Sequence, residues 1–150
     1  MYNDTITLFN RFESKYGDTW YPSILRNVNL NMDKSAIIAK YGNDSQDNAT
    51  LNVKYSVEDG KKIVGGKTWL PPKEWKKQAK EELQKTLTFS GSGQKFDFFY
   101  LGEWENEEPI SDDDYTDGFY DEMNRKYDYV FAITSSAYYN IIPHFEIMAK

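Results

Sequence analysis

Apolar and polar residues alternate most cleanly from Leu51 to Glu58, where Leu51, Val53, Tyr55 and Val57 interleave with Asn52, Lys54, Ser56 and Glu58. A two-residue period predicts a strand with one buried and one wet face. Asp59-Gly60 then offers the positive-φ chemistry of a tight hairpin, and Ile63-Val64 begins the return strand. Thr5 to Phe9 is short, β-branched and alternating, and predicts another strand before a polar turn or loop from Asn10 to Asp18. Trp20 to Leu30 resumes as strand, with Ile24, Val28 and Leu30 on one parity and Arg26 breaking the pattern. Pro22 suits a strand entrance or an edge. Leu87 and Phe89 precede a Gly91-Ser92-Gly93 turn, and Phe96 to Leu101 is the expected partner strand. Tyr129 to Thr134 predicts an apolar central strand, and Ile141 to Met148 closes the chain. The run Ala36-Ile37-Ile38-Ala39 is ambiguous between strand and helical turn, and residues 42–49 form a polar loop.

One surface helix is predicted near 72–85. Pro71-Pro72-Lys73-Glu74-Trp75 opens it, since proline is tolerated in a first turn and Glu74 lies at the positive end of the dipole. Trp75, Ala79 and Leu83 recur every four residues, a narrow apolar stripe, and Glu81 with Lys85 forms a supporting pair. Strands at regular spacing with a single helix, and no repeat or low-complexity linker, predict one mainly β domain over 1–150. A small antiparallel β-barrel or sandwich is the expected architecture.

Composition changes this picture in two ways. The chain has 25 aromatic residues in 150, so Phe, Tyr and Trp must carry much of the burial. It has one histidine and no cysteine, which removes a disulfide framework, a thiolate zinc site and a thiol nucleophile. The expectation from composition is therefore of a surface that binds rather than catalyses. No apolar stretch approaches the ~18 residues of a membrane span. Met1-Tyr2-Asn3-Asp4 also lacks the pattern of a signal peptide. The net charge of −6 is unevenly spread: Glu103 to Asp128 holds 11 acidic and 2 basic residues, the other 124 residues 13 acidic and 16 basic. A broad cationic face for nucleic acid is disfavoured.

The acidic insert near 103–128 holds the sharpest candidates. Asp112-Asp113-Asp114-Tyr115-Thr116-Asp117-Gly118 invites a calcium-loop reading, with Asp113, Asp117 and Asp121 as ligands. Tyr115 and Asn124 then fall where ligands are needed, so a solvated acidic loop is the better account. Glu103, Glu105, Glu107 and Glu108 around Trp104 offer carboxylates for acid–base work or a sugar platform. Alternation sends His144 and Glu146 to one side of their strand and Phe145 and Ile147 to the other, which predicts a hydrogen-bonded structural histidine. Tyr115, Phe119, Tyr120 and Met123 interleave aromatics with charge, as docking surfaces do, and Asp112, Asp113 and Asp114 would steer orientation. Phe119 and Met123 are four apart, allowing a short amphipathic helix from about Thr116 to Lys126. Anchoring of the insert to its own domain accounts for the same residues equally well.

The order of pieces resembles a known group. Thr5-Ile6-Thr7-Leu8-Phe9, Trp20-Tyr21, Leu25-Arg26-Asn27-Val28, the hairpin, Leu70-Pro71-Pro72-Lys73-Glu74-Trp75 and His144-Phe145-Glu146-Ile147 are similar to the small neck proteins of long-tailed bacteriophages. These are labelled minor capsid, head–tail connector or head-closure (stopper) proteins. The resemblance covers roughly 2–101 and 129–150, and the acidic insert departs from it. It implies a small β-barrel that assembles as a ring, is not an enzyme and uses no cofactor. It also implies portal or adaptor and tail proteins as partners, with DNA passing nearby without specific binding. The implied location is the virion, after synthesis in the bacterial cytoplasm. A carbohydrate-binding or carbohydrate-active domain, using Trp and Tyr platforms beside carboxylates, is the alternative from a different class.

Overall fold

The structure is a computed structural model that describes residues 2–32, 49–91 and 95–150. The apolar run 36–39, most of the polar loop 42–49, and Ser92 with Gly93 lie outside the described residues. Eleven strands are present among the described residues: β1 (Asp4–Phe12), β2 (Thr19–Met32), β3 (Ala49–Lys54), β4 (Ser56–Glu58), β5 (Lys61–Val64), β6 (Lys67–Trp69), β7 (Thr86–Leu87), β8 (Phe98–Leu101), β9 (Ile110–Ser111), β10 (Val130–Tyr139) and β11 (His144–Ala149). Two short α-helices, α1 (Pro72–Lys76) and α2 (Phe119–Lys126), and 3₁₀ turns at Lys80–Lys85 and Asp112–Asp114 complete the described fold.

Strands β1, β8, β10, β11, β3 and β2 pair antiparallel in that order, and β2 pairs back onto β1. The result is a closed six-stranded barrel, which leaves little open edge to invite unwanted pairing. Ile6, Leu8, Leu25, Leu51, Val53, Phe99, Phe131, Phe145 and Ile147 fill its interior. The alternation read from Leu51 to Tyr55 is the alternation of β3, and Phe145 and Ile147 point inward as expected.

Strand β2 serves both halves of the barrel, pairing with β1 up to Val28 and with β3 from Asn29. Asn27 at φ 58° breaks the register, and such a bulge bends the strand and resets its parity. Leu25 therefore points inward before the bulge, and Val28 and Leu30 after it. Ile24, expected on their face, pairs with the outward-facing Thr7 instead. Its N–H reaches outward to the Glu107 carboxylate at 2.7 Å, so alternate residues of β2 present their N–H to an edge, where Pro22 has none to lose.

The Asp59-Gly60 hairpin forms between β4 and β5, both turn residues having positive φ (51° and 75°). The strand leaves the barrel after Tyr55, however, so Val57 is exposed rather than buried. β4 to β7 make a second, four-stranded sheet in which β6 and β7 run parallel. β7 thus pairs with β6, and the partners of β8 are β1 and β10, not the Leu87–Phe89 segment. The region 72–85 is helical but divided: α1 ends at Lys76, and Ala79 is extended before the 3₁₀ turn. Of the stripe Trp75, Ala79 and Leu83, the first and last are buried against Tyr21, Phe12 and Leu70, while Ala79 is exposed.

Candidate functional site

The acidic insert lies along the outer wall of the barrel. Thr7 Oγ1 donates to Gly102 O at 2.9 Å and accepts from Trp104 N at 3.0 Å. Farther on, Glu107 takes the Ile24 N–H and approaches Lys67 Nζ at 3.7 Å, while Lys67 donates to Ser23 Oγ at 2.8 Å. Burial lowers the Lys67 pKa, against the opposing pull of Glu107. β9 then pairs with Thr19 and Trp20, and α2 closes over Phe9, Phe98, Tyr100 and Val130. The wall made by β1 and β8 is therefore apolar on both sides, with Ile6, Leu8 and Phe99 inward and Phe9 and Phe98 outward.

The predicted interaction residues divide sharply in this setting. Phe119 and Met123 are fully buried in the outer core, and Phe119 meets Phe9 edge-on at 5.1 Å. Tyr115 packs on Phe119 at 5.1 Å, and Tyr120 on Phe96 and Phe98 at 4.8 and 5.0 Å; both tyrosines are half-buried. Of the two accounts of these side chains, anchoring to their own domain describes Phe119 and Met123. Asp112 is likewise committed to the fold. One carboxylate oxygen accepts from Trp20 Nε1 and from Phe119 N, each at 2.8 Å. It serves as a remote cap for α2, whose preceding residue, Gly118, has φ 91° and no side chain to cap with. A Cβ at Gly118 would lie 3.3 Å from both Asp112 oxygens, so this approach needs glycine. Asp113 and Asp114 are exposed. Among the described residues no group of three or more His, Asp or Glu converges as a metal site. Asp117 instead pairs with Arg125 at 3.1 Å, beside Glu122 at 2.6 Å.

Between α2 and the β1–β2 ribbon lies a cleft of about 420 Å³, with Trp20, Phe96 and Tyr120 as walls and Arg11, Asp112, Asp117 and Asp121 at its rim. Arg11 lies over the Trp20 ring at 5.2 Å and pairs with Asp18 at 2.6 Å. Burial, with Asp121 adding to it, pushes the Tyr120 phenol up to about 12, so it stays protonated. Trp104 meets Phe9, Tyr100 and Phe119 edge-to-face at 5.6 to 6.0 Å. Its ring is thus half-buried in the outer core, while Glu103 pairs with Arg26 at 2.9 Å.

A second surface was not foreseen. Residues 140–143 form the turn between β10 and β11, and there Ile141 is 98% and Ile142 71% exposed. The closing strand begins at His144, so Ile141 sits in a turn rather than in the strand expected for it. Its base is firmly held: Tyr55 Oη donates to Tyr139 O at 2.9 Å, and Tyr139 stacks on His144 at 5.0 Å. His144 Nδ1 lies 2.6 Å from Ile142 O, the structural role expected of it. Lys62 Nζ caps the Tyr138 ring at 4.2 Å. The available signal was Asn140 and Pro143, turn formers that bracket two isoleucines.

One buried polar node lies outside both surfaces. Asp97 accepts from Arg11 N and Asn10 Nδ2 at 2.9 Å and from Ser90 N at 3.0 Å, tying β1, the 88–90 segment and the start of β8 together. Burial pushes its carboxyl up to about 7 despite these three N–H donors.

No helix among the described residues is long and apolar enough to cross a membrane. No curated protein and no solved structure is significantly similar to this chain. Over its whole length, residues 1–150, the chain belongs to a family of unknown function, DUF6751.

Proposed function

We propose that this chain is a phage- or prophage-encoded structural protein of the head–tail interface, which assembles as a ring through subunit contacts. It would be made in the bacterial cytoplasm and end in the virion, touching portal or adaptor and tail proteins while DNA passes without specific binding. The observation that supports this reading best is the tip at 140–143, where two isoleucines stand in solvent on a rigid, hydrogen-bonded base. Exposed apolar side chains on a fixed support mark contact surfaces, because a partner gains burial there without having to order the chain. The closed barrel supplies that stiffness.

Deletion of the gene in its phage or lysogen, followed by electron microscopy of the lysate, tests the proposal. The expected result is separate heads and tails, with joining restored by the wild-type gene. Normal particles from the deletion strain contradict it, and glycan binding by the purified chain alongside normal particles points to the carbohydrate alternative.

A further inference from the structure

The charge of this chain is divided between two segments. Lys54 to Lys85 contains nine lysines against five acids, whereas Glu103 to Asp128 has a balance of −9. Directly opposed residues of paired strands share a face. On one face of the β1–β2 ribbon, Phe12 and Tyr21 meet Trp75 at 6.1 and 6.0 Å. On the other, Phe9 and Trp20 meet Phe119 at 5.1 and 6.3 Å. α1 and α2 therefore cover opposite faces of one ribbon.

Lys73, Lys77 and Lys80 are exposed on the α1 side and form no ion pair among the described residues. On the α2 side, Asp121 and Asp117, the latter already paired with Arg125 at 3.1 Å, rim the cleft walled by Phe96, Trp20 and Tyr120, and its Arg11 is already held by Asp18. Asp121 has no ion pair among the described residues. Carboxylates beside the half-buried Phe96 and Tyr120 select a cation through ion pairing.

We infer that this cation is a lysine of a second copy: the segment from α1 into the following 3₁₀ turn, through Lys73, Lys77 and Lys80, docks at the Asp117–Asp121 cleft of the next subunit. The inference rests on the ring reading above and names its interface. Because the two complementary surfaces lie on opposite faces of the ribbon, the contact is head-to-tail, the kind that closes into a ring when the rotation per subunit permits. A two-fold contact through either surface would set like charges against each other, which disfavours the symmetric dimer.

The absence of cysteine makes the test clean. Lys77→Cys and Asp121→Cys variants are oxidised mildly at low ionic strength, each alone and as a mixture. The expected disulfide forms between copies in the mixture far faster than in either variant alone, and is suppressed at ~1 M salt, where the screening length falls to about 3 Å. In a parallel association measurement, Lys73→Glu/Lys77→Glu/Lys80→Glu weakens self-association at least about tenfold. Mixing that variant with Asp117→Lys/Asp121→Lys restores it, and circular dichroism confirms that both fold. A mixture that cross-links no better than its components, or charge reversal without rescue, overturns the interface. A chain found in virions that fails this test keeps the neck role and loses the interface. One that cross-links as expected but is missing from virions does the reverse.

Discussion

The acidic insert and the β10–β11 tip carry similar apolar side chains and use them in opposite ways. In the insert, Phe119 and Met123 turn inward and close an outer core over Phe9 and Phe98, leaving most of the carboxylates in water. At the tip, Ile141 and Ile142 turn outward while polar groups beneath them are consumed in holding the turn. The difference lies in what each segment finds beside it. The insert runs along a sheet face already lined with Phe9, Phe98 and Tyr100, whereas residues 140–143 project beyond the barrel, past the last paired strand residues. An aromatic set among charges therefore says little about exposure until the surface beneath it is known.

Breaking the insert's anchor should have the largest effect. Phe119→Ala is expected to cost about 3–5 kcal/mol, because it opens a cavity among packed rings. Thermal denaturation should show a fall of roughly 2–4 °C per kcal/mol, with loss of amide protection across α2. A loss below ~1 kcal/mol would mean that the insert is not part of the fold.

Next in size is a pH effect that arises from a buried carboxyl outside the insert. Asp97 is held up to about 7, above the ~3.9 of an unfolded aspartate. The folded state therefore keeps a proton that the unfolded chain has released. This contribution is complete below about pH 4 and is lost as pH rises through about 7. Urea titrations of wild type and Asp97→Asn at pH 4, 6 and 8 should give a difference that changes by a few kcal/mol across that range. A constant difference would contradict the assignment.

Asp112→Ala should cost about 1–3 kcal/mol, since Trp20 Nε1 and Phe119 N both lose their acceptor. Equilibrium urea unfolding measures it, and Asp113→Ala, an exposed neighbour, serves as the control within about 0.5 kcal/mol. At the tip, Ile141→Ser/Ile142→Ser should leave stability within that same margin of about 0.5 kcal/mol, yet prevent incorporation into particles. A large stability loss there would turn the tip from a contact surface into a piece of core.

Local pattern made much of the barrel legible. Leu51, Val53 and Tyr55 declared their inward face and Asp59-Gly60 its turn, because each depends on neighbours within a few residues; the spacing of Trp75 and Leu83 announced their burial but not the distant Phe12 and Tyr21 that provide it. What failed to show depends on distant partners. Val57 leaves the buried face because the chain changes sheet after Tyr55, and Ile24 leaves it because Asn27 bulges where β2 changes partner. The parallel pairing of β7 with β6 has no local signature, since it joins Thr68 to Thr86 across α1 and the 3₁₀ turn. At the candidate site, the four-residue spacing of Phe119 and Met123 announced α2 but not the direction it faces. The cleft was hidden because Arg11 and Trp20 come from the first strands and Asp117 and Tyr120 from the insert.

The most direct measurement is cryo-electron microscopy of intact particles carrying a small peptide tag on this chain. The account predicts tagged density in a ring at the junction of head and tail, with neighbouring copies joined head-to-tail. Particles without the chain, or with its density elsewhere on the capsid or tail, would contradict it.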